Sequence, residues 1–278
     1  MKSIFDTYCF EASKLVTKSY STSFYAGVKS LDKKIQLDIH AIYGLVRFAD
    51  EIVDSFHDFD KELLLKEFKE ETYTAIERKI SLNPILNSFQ ATVNKYQIDL
   101  QLIEQFFTSM EMDLKPIDYC NDKYEEYILG SARVVGLMCL KVFVYGNERE
   151  YQRLKPSAMK LGSAFQKINF LRDLKSDIDT LGRVYFPNLK DGNITIEDKT
   201  SIEKEIKKEF DEALIGIKEL PKSARFGVYL SYTYYTCLLQ RIKNKTPEEL
   251  MQHRIRVSDT RKYFLTIKAY IKNQLNFI

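Results

Sequence analysis

Glycine and proline are too scarce in this sequence, and too far apart, to build anything but long helices. Ten glycines and six prolines are spread through 278 residues, and they punctuate stretches of helical periodicity rather than marking hairpins. DKELLLKEFKEETYTAIERKI (60–80) is made of strong helix formers, and Asn83-Pro84 ends it. The same periodicity predicts helices over roughly 3–18, 32–56, 85–97, 99–114, 123–145, 150–179, 198–218, 222–244 and 257–275. Pro156 is expected in the first turn of the 150–179 helix or at a kink. LGRVYFPNLKDGN (181–193) is the clearest break in pattern. No strand-length alternation, internal repeat or linker stands out, so the expectation is all-α, with residues 1–278 forming one domain.

Composition narrows the function. Hydrophobic residues at 45%, with 18 Tyr and 18 Phe, can fill a large core. A net charge of +3 and the absence of basic runs interleaved with aromatics argue against nucleic acid as a partner. Cys9, Cys120, Cys139 and Cys237 form no CxxC pair and read as small buried apolar residues in a reducing compartment. Asp6 and Glu11 interrupt the apolar stretch a secretion signal needs, and Lys141 interrupts VVGLMCLKVFVYG, so a cytoplasmic protein is expected. Neither nucleotide fingerprint is present, no GxSxG elbow exists, and His40, His57 and His253 form no zinc pattern.

Two helical stretches carry an unusual polar line. In QKINFLRDLKSD (166–177), Gln166, Asn169, Asp173 and Asp177 share one helical face beside Ile168, Phe170, Leu171 and Leu174. IYGLVRFADEIVD (42–54) does the same with Tyr43, Arg47, Asp50 and Asp54. One exposed DxxxD pair is most often a solvated face. Two pairs on apolar helices call for a shared cation, because carboxylates one turn apart repel. Magnesium suits them: it takes oxygen ligands, is held by one or two carboxylates, and leaves positions for substrate phosphates. Arg47, Arg172 and Arg183 would grip diphosphate oxygens, and an apolar bundle interior would suit a hydrocarbon tail.

These segments resemble the squalene/phytoene synthases, isoprenoid enzymes of the head-to-head condensing type, over nearly the whole chain. YGLVRFADEIVD is similar to the family's first aspartate-rich segment and QKINFLRDLKSDIDTLGRVYFP to its second, with Arg183 and Tyr185 forming the Arg-x-Tyr. YSTSF (20–24) resembles an N-terminal element that contacts a diphosphate; Tyr235 and Arg254 match substrate-associated positions. The resemblance implies an isoprenoid-synthase bundle around a central apolar cavity. It places magnesium on Asp50 and Asp54 of one wall and on Asn169, Asp173 and Asp177 of the other. Tyr20, Ser21, Ser23, Phe24, Tyr43, Arg47, Gln166, Arg172, Arg183, Tyr185, Tyr235 and Arg254 would meet the prenyl diphosphate. Tyr43 and Arg47 join the four aspartates as catalytic candidates. Tyr20 replaces the His of some members, and Arg133 stands where many have Gly, either as a diphosphate contact or on the surface.

Each residue also has a plainer reading. Ser21 and Ser23 would cap the next segment, Tyr235 would be core, and Arg254 would be solvated. The C-terminal RKYFLTIKAYIKNQLNFI is read as a closing core helix, with an amphipathic surface resting on lipid as the alternative. The implied reaction joins two geranylgeranyl diphosphates to phytoene through a cyclopropylcarbinyl diphosphate, in carotenoid formation. The alternatives are the same chemistry on farnesyl diphosphate and an inactive prenyl-lipid-binding subunit. No nicotinamide cofactor is expected, and peripheral membrane contact would serve product release.

Overall fold

A computed structural model describes residues 1–114, 120–187, 189, 193–252 and 254–275. His253 and four positions of the 181–193 loop, Asn188 and 190–192, lie outside the described residues. The helices are α1 (Lys2–Tyr20), α2 (Thr22–Lys29), α3 (Lys33–Ser55), α4 (Lys61–Arg78), α5 (Pro84–Tyr96), α6 (Leu100–Met112) and α7 (Asn121–Ile128). They continue as α8 (Val134–Phe143), α9 (Glu148–Asp179), α10 (Ile196–Glu219), α11 (Lys222–Lys243), α12 (Pro247–Leu250) and α13 (Asp259–Gln274). Their starts follow from capping. Asp32, Asp60, Asn83, Asp99 and Asn147 each accept a backbone N–H of the first turn, and Thr195 forms a capping box with Asp198.

Packing sorts the helices around α3 and α9. Helix α3 lies against α1, α5 and α8, and α9 against α8, α10 and α11. One apolar cluster centres on α3, α5, α6 and α8, with Leu45, Leu86, Phe89 and Phe107 fully buried. A second joins α7, α9 and α10 through Ile128, Ile168, Leu171 and Phe210. Leu161 and Tyr232 pack against both clusters.

Four expectations need correction. The 123–145 helix is two, α7 and α8, joined by a π-helical turn over Leu129–Arg133. There Gly130 lies so near α6 that a Cβ would stand 2.3 Å from the carbonyl oxygen of Gln105, a tertiary approach that leaves no periodic trace in the sequence. Pro156 sits inside α9, more than two turns past its start, which rules out the first-turn half of its expected placing. Cys120 is exposed, whereas Cys9 is buried. Helix α13 is not a core helix: Ala269 is its one fully buried residue, and most of its large apolar side chains face outward. Among the described residues no helix is long and apolar enough to cross a membrane.

His40, on α3, is 1% exposed and shares a 3.0 Å hydrogen bond between its Nδ1 and Thr17 Oγ1. Burial, helped by nearby Lys14, lowers its pKa to about 4. The unfolded chain binds that proton near pH 6.5, so its stabilising effect is whole above 6.5 and drains away as pH falls toward 4. Relative to His40→Gln, the wild-type chain should lose on the order of 3 kcal/mol across that window. Parallel denaturation curves for the two proteins at pH 7.5 and pH 4.5, differing by the same amount, would contradict this.

Candidate active site

Helix α3 turns Tyr43, Arg47, Asp50 and Asp54 to one side because offsets of 4, 7 and 11 residues return to the same face. Helix α9 does so with Gln166, Asn169, Asp173 and Asp177. Between the two helices lies a cavity of about 260 Å3, reached by Tyr43 from α3, Gln166 and Asn169 from α9, Phe24 from α2 and Tyr235 from α11. Its deeper lining is apolar, including Leu31, Ile39, Phe143, Leu154 and Leu220, and no charged side chain lines it. Each stripe is therefore divided, with uncharged groups on the cavity and carboxylates beyond its mouth. Stacked ring pairs frame that mouth: Phe24 on Tyr43 at 4.8 Å and Phe165 on Tyr235 at 3.9 Å between centroids. Tyr235 Oη donates to Asn169 Oδ1 at 3.2 Å, and Asn169 Nδ2 donates to Gln166 Oε1 at 3.4 Å.

Arginines hold three of the four predicted carboxylates. Arg47 pairs with Asp50 and Glu51, and its guanidinium lies 4.4 Å from the centroid of the Tyr20 ring. Its Nε is buried without a hydrogen-bond partner. Arg172 Nη2 meets Asp173 Oδ2 at 2.5 Å, and Arg254 Nε meets Asp173 Oδ1 at 2.7 Å. Arg183 Nη1 reaches across to Asp54 Oδ1 at 2.6 Å and thereby joins the loop after α9 to α3.

The acids feel one another across the cleft. Burial, then Asp173 and then Asp54 on the facing helix, push the Asp177 carboxyl up to about 8. Burial and Asp54 likewise push Asp50 upward against the pull of Arg47. The Asp50 side chain keeps 35% of its surface open, so this is a recess that substrate can reach rather than a sealed core. Burial pushes the Tyr43 hydroxyl up to about 12, so it remains a neutral donor. Among the described residues, no three acidic, His or Cys side chains converge as a ready ion cage. The donor chemistry still fits a hard cation, because both walls offer carboxylate oxygens crowded enough to favour their protonated forms.

Most predicted residues come together here, with exceptions. Ser21 caps α2, its Oγ accepting from the Phe24 N–H at 3.3 Å, while Ser23 is half-buried in the first turn and does not line the cavity. Arg133 pairs with Glu125 at 2.7 Å, is 18% exposed, and does not line the cavity. Arg254 is half exposed, yet it is tied to Asp173 rather than only solvated. Sequence reasoning missed Asp113, just past α6. Its side chain is 2% exposed, and it accepts hydrogen bonds from Tyr127 Oη at 2.6 Å and Tyr185 Oη at 3.1 Å. Arg183 Nε lies 3.6 Å from its carboxylate, and Arg183 Nη2 donates to its carbonyl oxygen at 2.9 Å. Burial pushes this carboxyl up to about 6, with Arg183 resisting. Nothing in the local pattern around Asp113 signals that role.

Known proteins are similar to this chain in sequence and in fold. A phytoene synthase of Solanum lycopersicum is 27% identical over 277 residues, covering 93% of this chain and 66% of the relative. One of Narcissus pseudonarcissus is 29% identical, covering 82% and 58%. The chain thus spans roughly three-fifths to two-thirds of the length of these curated relatives. A solved dehydrosqualene synthase superimposes with a TM-score of 0.83 at 19% identity, covering 97% of this chain and 98% of that one. A squalene synthase from Alicyclobacillus acidocaldarius gives 0.74 at 17% identity, covering 87% and 95%. Residues 17–189 match the family model for squalene/phytoene synthase, and the chain belongs to that family.

Proposed function

We propose that this chain condenses two molecules of geranylgeranyl diphosphate head to head into phytoene. The observation that carries the reading is the join between an uncharged cavity and two facing carboxylate stripes, each laced with arginine. The relatives named as phytoene synthases favour the forty-carbon product. Asp50 and Asp54 on one wall, with Asn169, Asp173 and Asp177 on the other, would hold magnesium. When bound it would neutralise the departing diphosphate charge.

The protein's own groups supply the rest. Arg47, Arg172, Arg183 and Arg254 now grip carboxylates and are placed to turn toward diphosphate oxygens, stabilising ionisation by preorganised charge. The lining keeps water away from the allylic cation. The second substrate's double bond attacks that cation, and proton loss closes a cyclopropane. A second ionisation, rearrangement and proton loss give the triene. Purified chain with magnesium is incubated with the twenty-carbon or the fifteen-carbon diphosphate, and the products are chromatographed. A forty-carbon hydrocarbon from the longer substrate alone is expected. A thirty-carbon product from the shorter one would assign the dehydrosqualene-type reaction instead, and no diphosphate release from either would remove the enzymatic reading.

A further inference from the structure

Helix α13 turns an apolar face to solvent. Tyr263, Phe264, Ile267, Tyr270, Ile271 and Leu275 are each between 40% and 66% exposed. At 100° per residue they fall within an arc of about 140°, in which Thr260 and Gln274 are the polar residues. The opposite side makes contacts with the body of the protein: Ala269 is buried, and Thr266 shares a 2.7 Å hydrogen bond with Tyr234 on α11. At the edge of the arc Tyr270 sets its ring edge-on to Phe226 of α11, 5.9 Å between centroids, but each of the six residues still keeps 40% or more of its surface exposed, which this packing does not explain. A soluble helix normally shows the reverse arrangement, with its polar side outward.

Cations run along one border of the arc. Arg261, Lys268 and Lys272 occupy the next strip of the helix, and Arg241 of α11 joins them in a groove of about 710 Å3 between α11 and α13. No Asp or Glu lines that groove, and residues 260–275 contain none. Among the described residues none of the four cations has a carboxylate partner. By contrast Lys262, outside the groove, pairs with Asp259 at 3.2 Å and donates to Thr22 Oγ1 at 3.0 Å. That contact fixes the start of α13 beside α2, whose Phe24 lines the cavity.

We propose that α13 docks the protein onto an anionic lipid bilayer, with its apolar arc among the acyl chains and the Arg241–Arg261–Lys268–Lys272 groove against headgroup phosphates. An apolar face bordered by unpaired cations is the pairing that holds a helix in the plane of a membrane surface. Charge complementarity selects lipid over a second copy of the chain, which would bring the same cations to the contact. The proposal stands on this surface alone and does not depend on the reaction assigned to the cavity.

The test is flotation of the full chain, without substrate, on vesicles of phosphatidylcholine with or without phosphatidylglycerol. The wild-type chain should float with the anionic vesicles, lose that binding in high salt, and stay largely free with phosphatidylcholine alone. Phe264→Ser with Ile267→Ser, and separately Lys268→Glu with Lys272→Glu, change exposed positions and should keep native circular dichroism. Each pair should weaken binding roughly tenfold or more. Wild-type chain that stays in solution with both vesicle types, or variants that float as it does, would overturn the proposal. So would a dimer that Phe264→Ser with Ile267→Ser splits into monomers and that binds no vesicle, because the face would then belong to a second copy.

Discussion

Asp177→Asn is expected to lose turnover and gain stability together. Asp177 has no ion-pair partner among the described residues, and its carboxyl is pushed up to about 8 by burial, Asp173 and Asp54. A carboxyl raised in the folded state above its unfolded value near 3.9 helps fully below that value, and the help is lost as pH rises through 8. At pH 8.5, without magnesium, asparagine removes that burden and should raise stability by about 1–3 kcal/mol, after allowance for the partly open position. Turnover, if it needs the oxygen charge of this wall, should fall about a hundredfold to ten-thousandfold. Asp173→Asn provides the contrast. Asp173 is clamped by Arg172 and Arg254, so its loss should cost activity as severely without adding stability. Steady-state rates and urea midpoints for both variants check the pair, and near-normal turnover in Asp177→Asn would strip the acidic stripes of their role. Magnesium with inorganic diphosphate should stabilise the wild-type chain and leave Asp177→Asn nearly unmoved.

The stripes themselves were readable because helical periodicity carries them. Asp50 and Asp54, or Asp173 and Asp177, must share a face in any helix, and a polar line amid Ile, Val and Leu implies something polar opposite. Long helices were equally readable, from their apolar periodicity and the scarcity of glycine and proline within them. Other features depend on contacts between distant segments. Helix α2 was missed because it is eight residues long, rich in the weak helix formers Thr, Ser, Phe, Tyr and Gly, and set off from α1 by a single extended residue, Ser21. The π turn at Leu129–Arg133 follows from how closely Gly130 meets α6. Alternation of apolar and basic residues in α13 fits a core edge as well as a surface, and only packing shows which face was left outside. Asp113 is the sharpest case: an isolated acid gains its place from Tyr127 and Tyr185, 14 and 72 positions further on.

Arg183 ties that acid to the rest of the site, and removing it should have the largest effect on folding. Its guanidinium meets Asp54, Asp113 and the carbonyl oxygens of Val53 and Asp113, with the side chain only 11% exposed. Arg183→Met leaves the Asp113 carboxylate with its tyrosine hydrogen bonds but without this neighbouring cation, in a place where burial already disfavours its charge. Breaking a buried pair from one side costs about 3–5 kcal/mol. Arg183→Lys keeps a charge but cannot present a planar fork to four acceptors, so it should recover less than half of that loss. Asp113→Asn added to Arg183→Met removes the buried carboxylate that the guanidinium faced and should restore roughly 2 kcal/mol, a coupling that a double-mutant cycle of urea unfolding resolves. Strictly additive losses would show that the two groups do not sense each other. The guanidinium would then be a substrate contact alone rather than the link between the two walls.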